Sequence, residues 1–291
     1  MQLLIYVLVY PFLWLISILP FKLIYLLSDI VYVLVYNLFA YRKKVVIENL
    51  RLAFPDYSKS QHEAIAKKFY KHLCDMVFES IKSISISKEE AEKRFQFEGL
   101  SIFSDLEQKN KSAILILGHY GNWEWIFVLQ EFINHKGYGV YKQLKNKYFD
   151  RLVRNIRAKY DSYLITTKET VNRLDEVNAR GELTASGFIS DQSPKIDKAF
   201  HWQDFMGVNV PVYTGAEMLA KKLDHAVVFV KISKVKRGYY KCVFELITDE
   251  PKAIPDYQIT DHFLTLLEKQ IREKPAYYLW THKRWKHRKI K

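Results

Sequence analysis

Cysteine is nearly missing from this 291-residue chain: the two present, Cys74 and Cys242, lie far apart and share no CxxC spacing. That excludes a disulfide framework and a thiolate zinc site, and makes a reducing compartment the default. Glycine and proline are sparse as well, at 10 and 8 residues, beside 49% hydrophobic and 26% charged residues. Such a composition excludes a collagen-like fibre, a disordered chain and a polytopic membrane protein. The chain has no GxSxG elbow, and its nine histidines form no HExxH pair, which removes an elbow-type acyl-enzyme and a zinc hydrolase. Acids are in deficit, 32 against 45 lysines and arginines, for a net charge of +13. A balance this basic points to an anionic partner: nucleic acid, a phosphorylated ligand or a membrane surface.

What the chain does have is an apolar start. Met1 to Phe21 carries no charged side chain, and between there and Ala40 the only ones are Lys22 and Asp29. About 20 apolar residues in a helix cross a bilayer core. Pro11 and Pro20 argue against one straight rod, and Pro20 with Lys22 suits a break into two helices that enter and leave one leaflet. The run lacks the basic start of a secretory signal and exceeds its length; the remaining alternative is a buried hairpin of a soluble core. Arg42, Lys43 and Lys44 follow directly, which by the positive-inside rule places the rest of the chain in the cytoplasm. The expected division is a membrane anchor over residues 1–41 and one catalytic domain over 42–291. At the far end, Thr281 to Lys291 holds six lysines and arginines and no acid, next to Trp280 and Trp285. This reads as a membrane-surface segment with aromatic anchors rather than a nucleic-acid tail.

Between these ends the hydrophobic period predicts alternating elements. Ile65, Phe69, Leu73, Val77 and Ile81 recur every fourth residue, so a helix is expected over 61–82, opened by a capping box of Ser60 and Glu63. Ala113 to Leu117 is a continuous apolar run, the mark of a strand buried on both faces. Further strands are expected at 139–144, 163–166, 184–190, 226–232 and 240–246, and helices at 123–134, 151–160, 171–179, 213–223 and 260–272. Strands alternating with helices imply an α/β fold, a mostly parallel sheet flanked by helices, with ligands beyond the carboxyl ends of the strands.

Gly118-His119-Tyr120-Gly121-Asn122-Trp123-Glu124-Trp125 stands at one such end. On a single helix His119 and Glu124 would point about 140° apart, but across a strand end, a turn and a helix start they can meet. Asn122 is a natural N-cap, and Glu124 in the first turn would be held ionised by the helix dipole. A carboxylate beside a histidine fixes its tautomer and lets it act as a general base. The plainer alternative leaves Glu124 complementing the dipole and His119 as a satisfied turn residue.

This block resembles the signature of the lipid A late acyltransferase family, membrane-bound enzymes of lipopolysaccharide synthesis. So do Arg42-Lys43-Lys44 through Asn49-Leu50 and Phe54-Pro55, Asp191-Gln192, Phe205 to Gly207 with Pro211, Ala216 and Leu219-Ala220, and Trp280-Thr281-His282-Lys283-Arg284-Trp285-Lys286, all in family order across nearly the whole chain. The resemblance implies a fold like that of glycerol-3-phosphate acyltransferases. It also implies transfer of a fatty acyl chain from acyl carrier protein to a hydroxyl of a lipid A precursor at the bacterial inner membrane. His119 would be the base and Glu124 its partner. Asp191 would support the histidine or bind the acceptor with Gln192, and Arg157 or Arg154 would meet anionic groups of a phosphorylated glycolipid. N–H groups near Gly121 and Asn122, or an arginine, would hold the oxyanion. No cofactor is expected beyond the acyl thioester co-substrate, no metal and no nucleic acid. Tyr141-Lys142-Gln143-Leu144 stands where the family often has Arg, which leaves a glycerolipid or aminolipid acceptor as the alternative beside a membrane-tethered binding protein.

Overall fold

The computed structural model describes residues 1–289; Lys291 of the basic tail lies outside them. Two apolar helices come first, α1 (Gln2–Ile18) and α2 (Phe21–Val33), the latter running into a π-helical turn over Leu34–Leu38. Then follow α3 (Lys43–Ala53), α4 (Lys59–Lys82), α5 (Lys88–Arg94), β1 (Phe95–Glu98), α6 (Ser101–Gln108) and β2 (Ala113–Leu117). A 3-10 segment over Trp123–Glu131 leads to β3 (Lys136–Tyr141), α7 (Lys147–Arg157), β4 (Tyr163–Thr166), α8 (Thr170–Ala179) and β5 (Thr184–Ile189). A hairpin of β6 (His201–Phe205) and β7 (Val208–Val212) precedes α9 (Gly215–Leu223), β8 (Ala226–Lys236), β9 (Tyr239–Thr248) and α10 (Gln258–Glu273).

Seven strands form one sheet in the order β1-β9-β8-β2-β5-β3-β4, parallel throughout except for the β8–β9 pair, while β6 and β7 stand apart as an antiparallel pair. The apolar run Ala113–Leu117 is buried at every position because it lies centrally, with cores on both faces. Ile114 and Ile116 pack into one core with α9, α10 and Phe69, and Leu115 and Leu117 into the other with Trp125, Val128 and Leu129.

Several expectations need correction. The capping box is Ser58 with Gln61: Gln61 N–H donates to Ser58 Oγ at 3.3 Å and Ser58 N–H to Gln61 Oε1 at 2.7 Å. The same spacing occurs twice, and the turn after Phe54 delivers the chain to the earlier copy. The expected helix over 123–134 is 3-10 up to Glu131; a three-residue repeat stacks Trp125 over Val128 on the buried side. β3 begins three residues before expectation, set by its pairing of Lys136 with Thr184, and it leaves the sheet before Leu144, whose N–H donates to Asp150. β1, the β6–β7 hairpin, α3, α5 and α6 were not foreseen.

Pro20 breaks the apolar start as expected. The two helices pack on α4, and Lys82 Nζ caps the end of α1 by donating to the carbonyls of Ser17 and Leu19 at 2.8 and 3.0 Å. Leu4, Leu8, Phe12, Leu26 and Ile30 among others remain exposed, and Phe21–Leu38 is long and apolar enough to cross a membrane.

The carboxyl end departs most from its sequence reading. Trp280, Arg284 and Trp285 are buried, so the tryptophans are not headgroup anchors. The indoles stack on each other at 5.9 Å. Asn49 Nδ2 donates to the carbonyls of Trp280 and His282 at 2.8 Å, and Arg42 Nη1 to that of Thr281 at 3.0 Å. Arg284 Nη1 reaches the Pro211 carbonyl at 3.0 Å, and Trp285 Nε1 the Phe205 carbonyl at 3.4 Å. The scattered blocks at 42–55, 205–211 and 280–286 therefore meet in one knot, where aromatic burial and hydrogen bonds to backbone outweigh exposure of the bases.

Candidate active site

The turn after β2 is the place where sheet, helices and carboxyl end converge. Gly121 has φ of +64°, a region glycine enters without steric cost, and a Cβ there would lie 2.9 Å from Ile232 Cγ2. The turn is fastened from outside: Gly121 N–H donates to the Tyr277 carbonyl and Leu279 N–H to that of His119, both at 3.0 Å. His72 lies behind it, Nε2 at 3.3 Å from the Gly121 carbonyl and Nδ1 at 3.2 Å from Lys234 Nζ. Since Lys234 can only donate, Nδ1 accepts and Nε2–H donates.

β5 pairs with β2 in register, Leu117 opposite Ile189, so the residues after β5 arrive beside His119. Asp191 takes two hydrogen bonds there: from the His119 backbone N–H at 3.1 Å and, at 2.6 Å, from the Nδ1 position of its ring. Nδ1 thus carries the hydrogen toward the carboxylate, which leaves Nε2 as the unprotonated nitrogen. The His119 side chain keeps 18% exposure against 2% for Asp191. Burial alone would lower the His119 pKa, but the charge and hydrogen bond of Asp191, with a smaller contribution from Glu124, raise it overall. Burial likewise opposes ionisation of Asp191, yet its bonds with His119 and the charge of Arg284 hold it below the usual carboxylate range. Trp123 sets its ring edge-on to the imidazole at 5.0 Å.

Glu124 does not hydrogen-bond His119. Its two oxygens accept from Arg157 Nη2 at 3.0 and 2.7 Å, because α7 brings the guanidinium alongside. Asn122 is neither a side-chain cap nor open to a ligand: it is fully buried and donates to Glu79 Oε2 at 2.8 Å. The Gly121 N–H, spent on Tyr277, is not available to an oxyanion. Arg157 and Arg154, inseparable by spacing, part company here. Arg154 is exposed, whereas Arg157 lines the cavity described below and its buried Nε has no partner among the described residues. Gln192 Nε2 comes to 3.4 Å from His119 Nε2.

His119, Glu124, Arg157 and Gln192 open on a cavity of about 1060 Å³. Its walls come from both sheet faces: Leu115, Leu117, Gly187 and Ile189 below the 3-10 segment, and Tyr138, Val140 and Phe188 on the opposite face. The exposed lining is mostly apolar; His119, Glu124, Arg157 and Gln192 stand at the carboxyl ends of the strands, and Gln130 and Ser162 line the cavity near the starts of β3 and β4. Sequence reading missed His72, Glu79, Tyr277 and Tyr278, which hold the turn. The only signal for them was the position of His72 and Glu79 among the apolar residues of an amphipathic helix.

The family model for bacterial lipid A biosynthesis acyltransferases matches residues 1–287. Among curated proteins, the lipid A biosynthesis lauroyltransferase of Escherichia coli (strain K12) is 24% identical over 290 residues, covering 95% of this chain and 89% of that protein. The palmitoleoyltransferase of the same strain and the lipid A biosynthesis acyltransferase of Shigella flexneri are each 21% identical over 284 residues, 96% of this chain and 90% of theirs. Matched end to end, and carrying its polar cluster at the strand ends beside an apolar cavity, the chain belongs to the bacterial lipid A biosynthesis acyltransferase family and is an O-acyltransferase.

Proposed function

We propose that this enzyme moves a fatty acyl chain from acyl carrier protein to a hydroxyl of a lipid A precursor, by direct attack and without an acyl-enzyme. The observation that carries this reading is the His119–Asp191 pair at the mouth of the apolar cavity. His119 Nε2 takes the proton of the acceptor hydroxyl as its oxygen attacks the thioester carbonyl. The C–S bond then breaks, and the departing thiolate recovers the proton from the imidazolium, giving ester and free thiol. Asp191 fixes the tautomer and balances the imidazolium. Glu124 adds negative charge nearby and holds Arg157, whose unpartnered Nε suits the oxyanion or a phosphate of the acceptor. Gln192 contacts substrate beside His119, and Arg154 meets anionic headgroups at the surface.

Residues 1–41 serve as the anchor and 42–291 as the catalytic domain, with the basic cluster Arg42, Lys43 and Lys44 holding the enzyme on the cytoplasmic face of the inner membrane. The exposed apolar faces of α1 and α2 support the anchor, since surfaces of that kind seek lipid. The test is a transfer assay with purified protein, acyl carrier protein thioester and detergent-dispersed lipid A precursor, the product read by mass. An added acyl ester on the precursor is expected. Transfer to a glycerolipid or an aminolipid instead would replace the acceptor, and no transfer to any lipid would leave a binding protein.

A further inference from the structure

We propose that Gly187 sets the length of the acyl chain that the cavity admits, an inference that rests on the acyl-transfer reading above. A glycerolipid acceptor would not affect it, because it concerns the donor chain. Glycine inside a strand weakens it and calls for a reason. Three glycines face the 3-10 segment from adjoining strands. A Cβ on Gly139 would strike the Phe127 ring at 2.7 Å, and one on Gly137 would strike Gln130 Oε1 at 2.6 Å. Those two are kept small by side chains packed on them. Gly187, paired with Gly139 across β3 and β5, differs: an added Cβ would meet only the Tyr138 carbonyl oxygen, at 3.8 Å. Neither backbone conformation nor packing demands glycine there. Cavity lies over it.

The β2–β5 register supplies a depth scale. Leu117 and Ile189 form one level, Leu115 and Gly187 the next, and Ala113 and Ala185 the one below. Leu115 precedes His119 by four residues, two in β2 and two in the turn after it, so at no more than about 3.3 Å per residue Gly187 lies at most roughly 13 Å below the reacting end. A carbon–carbon bond of about 1.5 Å advances an extended chain by roughly 1.3 Å, which sets Gly187 beside the chain no farther along than about the tenth carbon. The absent side chain leaves the passage open toward Ala185, which also lines the cavity.

The test compares wild type with Gly187→Met on acyl carrier protein thioesters of about ten to about sixteen carbons, reading kcat/KM for each. The ratio of kcat/KM for the longest donor to that for the shortest is expected to fall at least about tenfold in Gly187→Met, with the shortest donors still used. Gly187→Ala should shift the ratio in the same direction by less. Val171 also lines the cavity, on α8, whose Leu174 and Val177 pack on the opposite face of the sheet; Val171→Trp should leave the ratio in place. An unchanged ratio in Gly187→Met, an equal loss on every donor with unaltered thermal melting, or a shift only in Val171→Trp would each overturn the proposal. If wild type transfers no acyl group, the acyl-transfer reading itself fails. The length question then passes to displacement of a fluorescent fatty acid by unlabelled acids of graded length. A lower length limit in Gly187→Met supports the assignment there, and equal limits overturn it.

Discussion

His119 and His72 stand on either side of the same turn, and their surroundings push them in opposite directions. His119 has an ionised carboxylate on Nδ1 and a cavity before it, and its pKa is raised despite burial. His72 is enclosed, with burial and the charge of Lys234 driving its pKa down to about 3. It stays neutral and serves as a strut between Lys234 and the Gly121 carbonyl. The clusters around them differ likewise. Around His119 the carboxylates of Asp191 and Glu124 face groups that line open space. Around His72, Asp75 and Glu79 are shut in by Lys234, Arg237, Tyr25, Tyr240 and Asn122. Similar side chains thus make an open, charge-raised pair or a closed, neutral brace according to the sign of the nearest charge and the presence of a cavity.

The largest effect should come from His119→Ala. General-base assistance contributes about 10²–10⁴-fold, so transfer measured on folded protein at saturating substrates should fall that far. A double variant with Asp191→Asn should be little worse, since the two act as a unit. Near wild-type turnover would remove the mechanism.

Breaking the brace instead should cost stability. Arg237 bonds Asp75 and Asp29 together, and Arg237→Leu leaves Asp75 to Lys234 and Ser28, and Asp29 to the exposed Lys71. With 30% exposure of the arginine, the loss should be roughly 2 kcal/mol, below the 3–5 of a fully buried pair. Urea melts of detergent-solubilised protein measure it; an unchanged midpoint would show the network to be dispensable.

Arg157→Lys keeps the charge but loses the fork held by Glu124. Apparent acceptor affinity should drop about tenfold while donor affinity changes little, as initial rates at varied acceptor will show. Equal sensitivity to both substrates would shift the residue from acceptor binding to the oxyanion.

The smallest effects are in pH dependence. Because the His119 pKa is raised, the acid limb of kcat/KM should have its midpoint above the ordinary value of about 6.5, and Asp191→Asn should move it down. Glu79 behaves differently: burial raises it to about 7, so the native chain holds a proton that the unfolded chain releases near pH 4.3. Stability should therefore decline as pH rises from about 4.3 to about 7, and Glu79→Gln should flatten that slope. An unaltered slope in Glu79→Gln would assign the proton elsewhere.

Much of the fold was readable because its signals are local. The run Ala113–Leu117 announced a doubly buried strand, the four-residue repeat from Ile65 announced α4, and Pro20 announced the break between α1 and α2. Element ends were less readable: β3 and the Ser58 cap depend on pairing and on how the preceding turn arrives. The site was half visible. His119 stood out through its glycines, but proximity in sequence favoured Glu124 as its partner, while the carboxylate on its ring comes from 72 residues away.

Alternation of apolar runs is written in consecutive residues, so the chain by itself determined an α/β sheet, an apolar lead and a histidine at a strand end. Which groups meet was decided only by the tertiary structure. The in-register pairing of β2 with β5 carries Asp191 to His119, and α7 carries Arg157 to Glu124. Packing of the knot around Trp280 and Trp285 turns a basic tail into a backing for the site. The reason is that hydrogen bonds and ion pairs act over a few ångströms of space, and strand register, not sequence distance, sets that spacing.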